Sequence, residues 1–317
     1  MNALPKVSLI MPAFIRDALN LAYFAEALAS ARAQTYPNLE ILIVNDGSPY
    51  SDPLEQLVAA QGDAVRYVKK ANGGVASALN VALKEMTGEY FTWLSHDDLY
   101  LPDKVAVQME RMARSPADTI LYCDVEHIDS QGGHQFFEHT PDVPAGTCRV
   151  FFAQYGGFNA NAHLIPRRCF DRVGGFDETL RTTQDNHMWY RLSAHFEFRR
   201  VPKVLMKYRN HPTQDSRSPI HVKECNELYT YFLASLDRNE VVRAATVSPA
   251  RFYAECACVR RNRGYVDAER DATRRALLEL IRRPLKERSH LNLIAGLWLT
   301  RLRAGNRLLM PPKPAAP

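Results

Sequence analysis

Three acidic sites in this 317-residue chain stand where carboxylates can do chemistry, each after a segment that reads as strand or turn. Asp46 follows the apolar run Ile41–Val44 and precedes Gly47-Ser48-Pro49. A carboxylate there can accept hydrogen bonds from a nucleobase or a ribose, or it can simply organise the turn. Asp97 and Asp98 lie in Ser95-His96-Asp97-Asp98, directly after Tyr90–Leu94. Adjacent carboxylates repel unless a cation sits beside them. Oxygen ligands of this kind suit Mg²⁺ or Mn²⁺, which also hold phosphate; the plainer reading is a cap for the helix begun near Pro102. Asp185 comes after Gly174-Gly175-Phe176-Asp177 and opens a helical segment containing Trp189 and Leu192. It is either a cap or a general base, a lone carboxylate presented to take a proton from an incoming hydroxyl. Trp189, one helical turn beyond Asp185, is a candidate for lining an acceptor pocket, whereas Trp93 reads as core.

These sites need a scaffold that brings strand ends together. Val7–Met11, Ile41–Val44, Ala64–Val68 and Tyr90–Leu94 read as strands. Between them Leu21, Phe24, Leu28 and Ala31 fall at helical spacing, Asn72-Gly73-Gly74 opens a helix to about Met86, and Pro102 begins another. Alternating βα units feed a largely parallel sheet, and such sheets bind ligands at the carboxyl ends of their strands. After a strand at Ile120–Cys123 the pattern turns irregular, with Gly132-Gly133, Gly156-Gly157 and Gly174-Gly175 punctuating short segments. We expect an α/β region over residues 1–218 and a basic helical region over 219–317, with helices near 268–283 and 291–309.

Composition agrees with a globular chain, at 46% hydrophobic and 24% charged residues. The net charge of +5 conceals an asymmetry: residues 1–240 carry 24 Lys/Arg against 29 Asp/Glu, and residues 241–317 carry 16 against 6. The segment Leu291–Arg303 combines apolar residues, Trp298 and flanking arginines, the make-up of a helix drawn to anionic lipid or packed with its arginines outward. No nucleic-acid-binding motif accompanies the basic residues. The six cysteines show no C-x-x-C pair, so reduced thiols are expected. No secretory signal or membrane span is legible, so a cytoplasmic protein, peripheral on the inner membrane face at most, is expected.

Taken in order, Met11-Pro12-Ala13-Phe14, Val44-Asn45-Asp46-Gly47-Ser48, Asn72-Gly73-Gly74 with Ala78-Leu79-Asn80, Gly88-Glu89-Tyr90 leading to Leu94-Ser95-His96-Asp97-Asp98, Gly174-Gly175-Phe176-Asp177, Gln184-Asp185 and Tyr208-Arg209-Asn210-His211 resemble the family 2 glycosyltransferases of GT-A fold. The resemblance covers about residues 6–218. It implies a Rossmann-like mixed, mostly parallel sheet, and inverting transfer of a sugar from a nucleotide donor, usually a UDP- or dTDP-sugar, with Mn²⁺ or Mg²⁺ on the diphosphate. The acceptor would be a hydroxyl of a glycan or lipid-linked saccharide in bacterial surface polysaccharide synthesis. Carried over by residue, Pro12, Ala13, Phe14, Asp46, Asn72, Gly73 and Asp97 would meet the nucleotide. Asp97, Asp98 and His211 would meet the metal, Arg209 the diphosphate, and Gln184 and Trp189 the acceptor, with Asp185 as the base.

The chain departs from the family pattern at Ser95, where an acidic residue is usual, at Gln184 in place of a glutamate, at Asn45 in place of a frequent aspartate, and at Leu79 in place of an arginine. Two rival readings accompany the resemblance. A sugar nucleotidyltransferase would carry a Gly-rich basic loop near the N-terminus, and Pro12–Leu19 has no glycine. A decayed, non-catalytic donor-binding or scaffold protein is the other, with Ser95 its best argument.

Overall fold

The computed structural model describes residues 4–245 and 247–282. The runs read as strands supply a five-stranded sheet whose inner strands are apolar on both faces, as a sheet covered by helices on each side requires, while the third run, RYVKK, is a partly exposed edge. Strand β1 (Val7–Ala13) is buried at every position. Helix α1 (Ala18–Arg32) follows, its first turn capped by Asp17, whose carboxylate accepts from the Asn20 amide. Next come β2 (Leu39–Asp46), α2 (Ser51–Ala59), β3 (Arg66–Lys70), α3 (Val75–Glu85) and β4 (Tyr90–Trp93). The third strand starts two residues later than the sequence suggests, because Gly62–Ala64 form a single 3₁₀ turn first.

The order in this sheet is β3-β2-β1-β4-β8, with the first four strands parallel and β8 (Ile165–Pro166) antiparallel to β4. The expected mixed, mostly parallel α/β sheet is therefore present. The order in which strands are added reverses between β1 and β4, and it is at such a switch point that strand ends diverge and leave a crevice. At the opposite edge Glu40 accepts from Ser8, from the Thr87 amide and hydroxyl (2.6 and 2.8 Å) and from the Gly88 amide (3.2 Å). Burial alone would raise the Glu40 carboxyl, but these donors outweigh it and hold it at about 2. That edge is built for stability and leaves the C-terminal edge for ligands.

A second sheet, ordered β5-β9-β6-β7, takes in the expected strand Ile120–Cys123 and segments of the stretch beyond it that reads as irregular. It comprises β5 (Leu99–Tyr100), β6 (Thr119–Ile128), β7 (His134–Glu138) and β9 (Glu197–Arg209), with α4 (Lys104–Met112), α5 (Cys148–Tyr155), α6 (Arg168–Val173) and α7 (Gln184–Leu192) between them. The 13-residue β9 hides in the sequence because EFRRVPKVLMKYR neither alternates cleanly nor runs apolar, and its pairing with β6 shifts register at Cys123–Val125. At its end Arg209 pairs with Ile128, which delivers Arg209, Asn210 and His211 to the ends of the first sheet.

The chain divides into two compact units, Met1–Leu228 and a second beginning at Tyr229, with α8 (Pro219–Ser235) running across the division. The described part of the second unit contains α9 (Arg238–Ala244), α10 (Pro249–Arg263) and α11 (Val266–Arg282). Ser248 caps α10 with Pro249 in its first turn, and Gly264, at φ 77°, ends it in the left-handed conformation. Two arginines of this unit bind glutamates of α11: Arg238 of α9 chelates Glu279 (2.7–3.0 Å), and Arg261 of α10 binds Glu269 (2.8 Å). Residues 283–317 alone carry seven basic residues and one acidic. They, and with them the expected helix at 291–309 and its lipid contact, lie outside the described residues. No helix among the described residues is long and apolar enough to cross a membrane. All six cysteines are free.

Candidate active site

A cleft of about 680 Å³ opens over the carboxyl ends of β1, β2 and β4. Of the residues singled out from the sequence, Pro12, Ala13, Phe14, Asp46, Asn72, Asp97, Asp98, Gln184, Asp185 and His211 line it. Gly73, Arg209 and Trp189 do not, although Gly74 does.

Asp46 is 3% exposed, and its carboxylate is fully used by its own chain. One oxygen accepts from Lys70 Nζ (2.6 Å) and the Gly73 amide (2.9 Å), the other from the Gly74 amide (2.7 Å) and Asn72 Nδ2 (3.3 Å). The pairing of Asp46 with Lys70 across β2 and β3 brings the ammonium within reach. Asp46 thus folds the Asn72–Gly74 turn against the end of β2. Gly47 permits the contact: it sits at φ 67°, and a Cβ there would lie 2.6 Å from the Asn72 nitrogen.

The acidic pair separates into two environments. Asp98, 1% exposed, accepts from the Arg209 amide (2.8 Å) and from Asn161 Nδ2. Burial and then the neighbouring Asp97 charge push its carboxyl well above the usual range. Asp97 meets His211, Oδ2 to Nε2 at 2.9 Å. Burial works to raise the Asp97 carboxyl too, but His96 and the bonded His211 outweigh it and hold it below its ordinary value. Two carboxylates side by side are accommodated by giving the charge to the one with imidazole partners.

Asn161, which sequence reasoning missed, connects this pair to Ser95. Its Oδ1 accepts from the Ser95 amide (2.8 Å) and hydroxyl (3.1 Å) while its Nδ2 holds Asp98. The hydroxyl at position 95 is therefore a donor to a fixed partner, a role an ionised carboxylate could not fill. Asn161 lies 66 residues from Ser95 in a 3₁₀ turn, and no local pattern marks it. Arg16 and Arg181, also missed, border the cleft. Arg16 pairs with Asp215 (3.2 Å) and lies over the Phe14 ring.

Asp185 occupies the first turn of α7, where the helix dipole favours an anion. Its Oδ1 accepts from the Asn186 amide (2.7 Å) and side chain (3.3 Å), and Asn186 in turn accepts from the Gly157 amide (2.7 Å). Burial dominates and raises the carboxyl to about 6. A carboxylate so placed is a competent proton acceptor near neutral pH.

Two sequence expectations meet a different geometry. Arg209 is 1% exposed, and its guanidinium turns to Glu26 (2.5 Å), to the carbonyls of Asp97 (2.9 Å) and Ser130 (3.3 Å) and onto the Tyr23 ring. It braces the acidic loop from behind and does not reach the cleft. Trp189 is fully buried, stacked on His163 at 4.4 Å and edge-on to Phe176. Only the first turn of α7 borders the cleft, and four residues further along a helix is about 6 Å deeper. Trp189→Ala is accordingly expected to cost about 3–5 kcal/mol in chemical unfolding, as large core truncations do. Trp189→Phe should retain most of the stability and the acceptor KM, and a selective rise in acceptor KM with stability intact would return Trp189 to the acceptor site.

The fold and this cleft define a GT-A type α/β protein with carboxylates at the strand ends. A sequence model described as glycosyl transferase family 2 matches residues 8–182, and the chain belongs to that family. An uncharacterized glycosyltransferase of Rickettsia typhi is 35% identical over 272 residues, covering 83% of this chain and 82% of the relative. One of Rickettsia felis is 37% identical over 248 residues, or 75% of this chain, yet the chain spans only 40% of that relative's length. Among solved structures, Staphylococcus aureus TarS residues 1–349 with UDP-GlcNAc superposes with a TM-score of 0.60 at 17% identity, covering 80% and 71% of the two chains. The mannosyltransferase PcManGT of Pyrobaculum calidifontis, solved with GDP-Man and Mn²⁺, gives 0.55 at 19% identity, covering 94% and 81%.

Proposed function

We propose that this protein transfers a sugar, with inversion, from a nucleoside-diphosphate sugar to a hydroxyl of a glycan or lipid-linked saccharide, in bacterial surface polysaccharide synthesis. The reading rests chiefly on Asp185, a carboxylate on the cleft wall whose carboxyl is raised to about 6 and whose bonded oxygen is fixed by Asn186. Asp185 takes the proton of the attacking hydroxyl as that hydroxyl meets the anomeric carbon opposite the leaving diphosphate. Pro12–Phe14 and the turn anchored by Asp46 form the wall assigned to the nucleotide, and a UDP- or dTDP-sugar is the proposed donor. Nucleotide sugars are cytoplasmic metabolites, so the reaction is assigned to that compartment.

Among the described residues no group of three His, Cys, Asp or Glu side chains is arranged to hold a metal by itself. Asp97 and His211, already 2.9 Å apart, nevertheless offer an oxygen and a nitrogen on the cleft wall. That donor pair fits a Mn²⁺ or Mg²⁺ ion whose remaining positions come from substrate phosphate and water. Asp98, engaged by Arg209 and Asn161, would then shape the loop more than ligate. Such an ion, when bound, neutralises charge developing on the diphosphate.

A panel of UDP-, dTDP- and GDP-sugars, screened for thermal stabilisation and for nucleoside diphosphate release with and without Mn²⁺, tests the proposal. A donor that binds the folded state raises its melting temperature. The expected result is one donor class that does so and is turned over; stabilisation without release in the presence of glycan acceptors would favour a binding module instead.

A further inference from the structure

The residues that carry the proposed base form a short strip, and Arg181, Thr182, Gln184 and Asp185 all border the cleft. The strip has no regular structure before Gln184, and Thr183, at the N-cap of α7, does not cap its own helix through its side chain. Something else must hold it. Glu224, 41 to 43 residues further along and in α8, supplies both carboxylate oxygens to it. Oε1 accepts from the Arg181 amide (2.8 Å), and Oε2 accepts from the Thr182 amide (2.8 Å), the Thr182 hydroxyl (2.8 Å) and the Thr183 hydroxyl (3.2 Å).

Glu224 is 8% exposed and does not border the cleft, so it touches no substrate. A buried carboxylate is costly unless its lone pairs are filled, and here four donors from three consecutive residues fill them. Their combined pull overcomes burial and keeps Glu224 below the usual glutamate range, so it stays ionised at neutral pH. The Thr182 hydroxyl, having donated to Glu224, also meets His221 Nδ1 at 3.1 Å, and His221 borders the cleft. Two residues one turn apart on α8 therefore grip the same threonine.

We infer that Glu224 is the positioning residue of the proposed catalytic base: it fixes the Arg181–Thr183 segment so that α7 begins in one place and Asp185 is held at a single point on the cleft wall. The inference extends the role of Asp185 proposed above and places a segment beyond residue 218 in support of the site. An unanchored base loses the in-line geometry on which effective molarity depends, while the nucleotide wall, built from other strands, is untouched.

The test compares Glu224→Gln and Glu224→Ala with the unmodified full chain. Glutamine at this position would keep one acceptor oxygen but turn an amino group toward N–H and O–H donors, so it is the milder lesion. Hydrogen exchange at the Arg181 and Thr182 amides needs no substrate, and both should exchange at least tenfold faster in Glu224→Ala, with Glu224→Gln between. With the donor found in the panel, kcat should fall about 10- to 100-fold while binding of UDP with Mn²⁺ changes less than twofold. The midpoint of the acid limb of kcat, near pH 6 in the unmodified chain, should move in the variants because the surroundings of Asp185 change. Unchanged exchange overturns the inference even if no donor is ever found, which separates its failure from that of the proposed function. Faster exchange with unaltered kcat and pH midpoint overturns it as well, and a uniform loss of UDP binding in Glu224→Gln would show a merely structural residue.

Discussion

Asp185→Asn is expected to lower glycosyl transfer by about 10³-fold, within the span general-base removal usually gives, while nucleotide-sugar binding stays within a factor of two. Asparagine keeps the size of the side chain and its oxygen for the Asn186 amide, but it cannot take the acceptor proton. In the unmodified enzyme kcat should rise with pH through about 6 and level off above it, falling close to tenfold per pH unit in the acid limb, because only the ionised base works. The stability sign is opposite to that of the activity. A carboxyl raised in the folded state binds its proton more tightly folded than unfolded, so its ionisation above pH 6 costs stability that is regained as the pH falls toward 4. The neutral asparagine should therefore leave the unfolding free energy unchanged or raise it, by an amount on the order of 1–2 kcal/mol once cleft water is allowed for. Turnover by Asp185→Asn comparable to the parent would remove Asp185 from the mechanism, and a kcat flat from pH 5 to 8 would contradict its raised carboxyl.

The second large effect concerns Asp46. Asp46→Ala strips the anchor from Lys70, Asn72, Gly73 and Gly74 at once and leaves the ammonium of Lys70, which is mostly buried, without its partner. Removing one member of a buried pair costs roughly 3–5 kcal/mol, and with Lys70 side-chain exposure at 18% the lower end applies. Urea unfolding should show about 3 kcal/mol lost, and UDP binding should weaken at least tenfold because the turn that borders the cleft is released. Asp46→Asn should be intermediate, since its amino group would face one backbone N–H and one side-chain N–H donor, whichever oxygen it replaces. A variant with parental stability and weakened UDP binding would show instead that Asp46 contacts the nucleobase directly.

Much of the first sheet was legible because its strands are continuous apolar runs separated by helical spacing, a pattern set by local burial. Asp46, Asp97 and Asp98 were legible for a related reason: each lies at or just beyond the end of a parallel strand, and chain order alone puts such positions at one edge of the sheet. Asp185 was legible only as a carboxylate at a helix start. Of the second sheet only part of β6 was legible, through the run Ile120–Cys123, since β9 is a charged segment whose place in the sheet comes from its pairing with β6 and β5. The supporting residues were invisible for the same cause. Asn161 reaches Ser95 and Asp98 across more than 60 positions, and Glu224 reaches Thr182 across 42, and no spacing rule links such pairs.

Sequence by itself determined which chemistry is available: acidic groups at strand ends, an imidazole in Arg209-Asn210-His211, and a carboxylate at a helix start. Tertiary structure decided how each group is used. It filled the lone pairs of Asp46 from its own turn, gave the charge of the acidic pair to Asp97, turned Arg209 to the rear of the loop, and sank Trp189 into the core. The physical reason is that residue type fixes what a side chain can donate, accept or ionise. Burial and partners, which come from distant segments, fix whether that capacity is spent inside the fold or left facing the cleft.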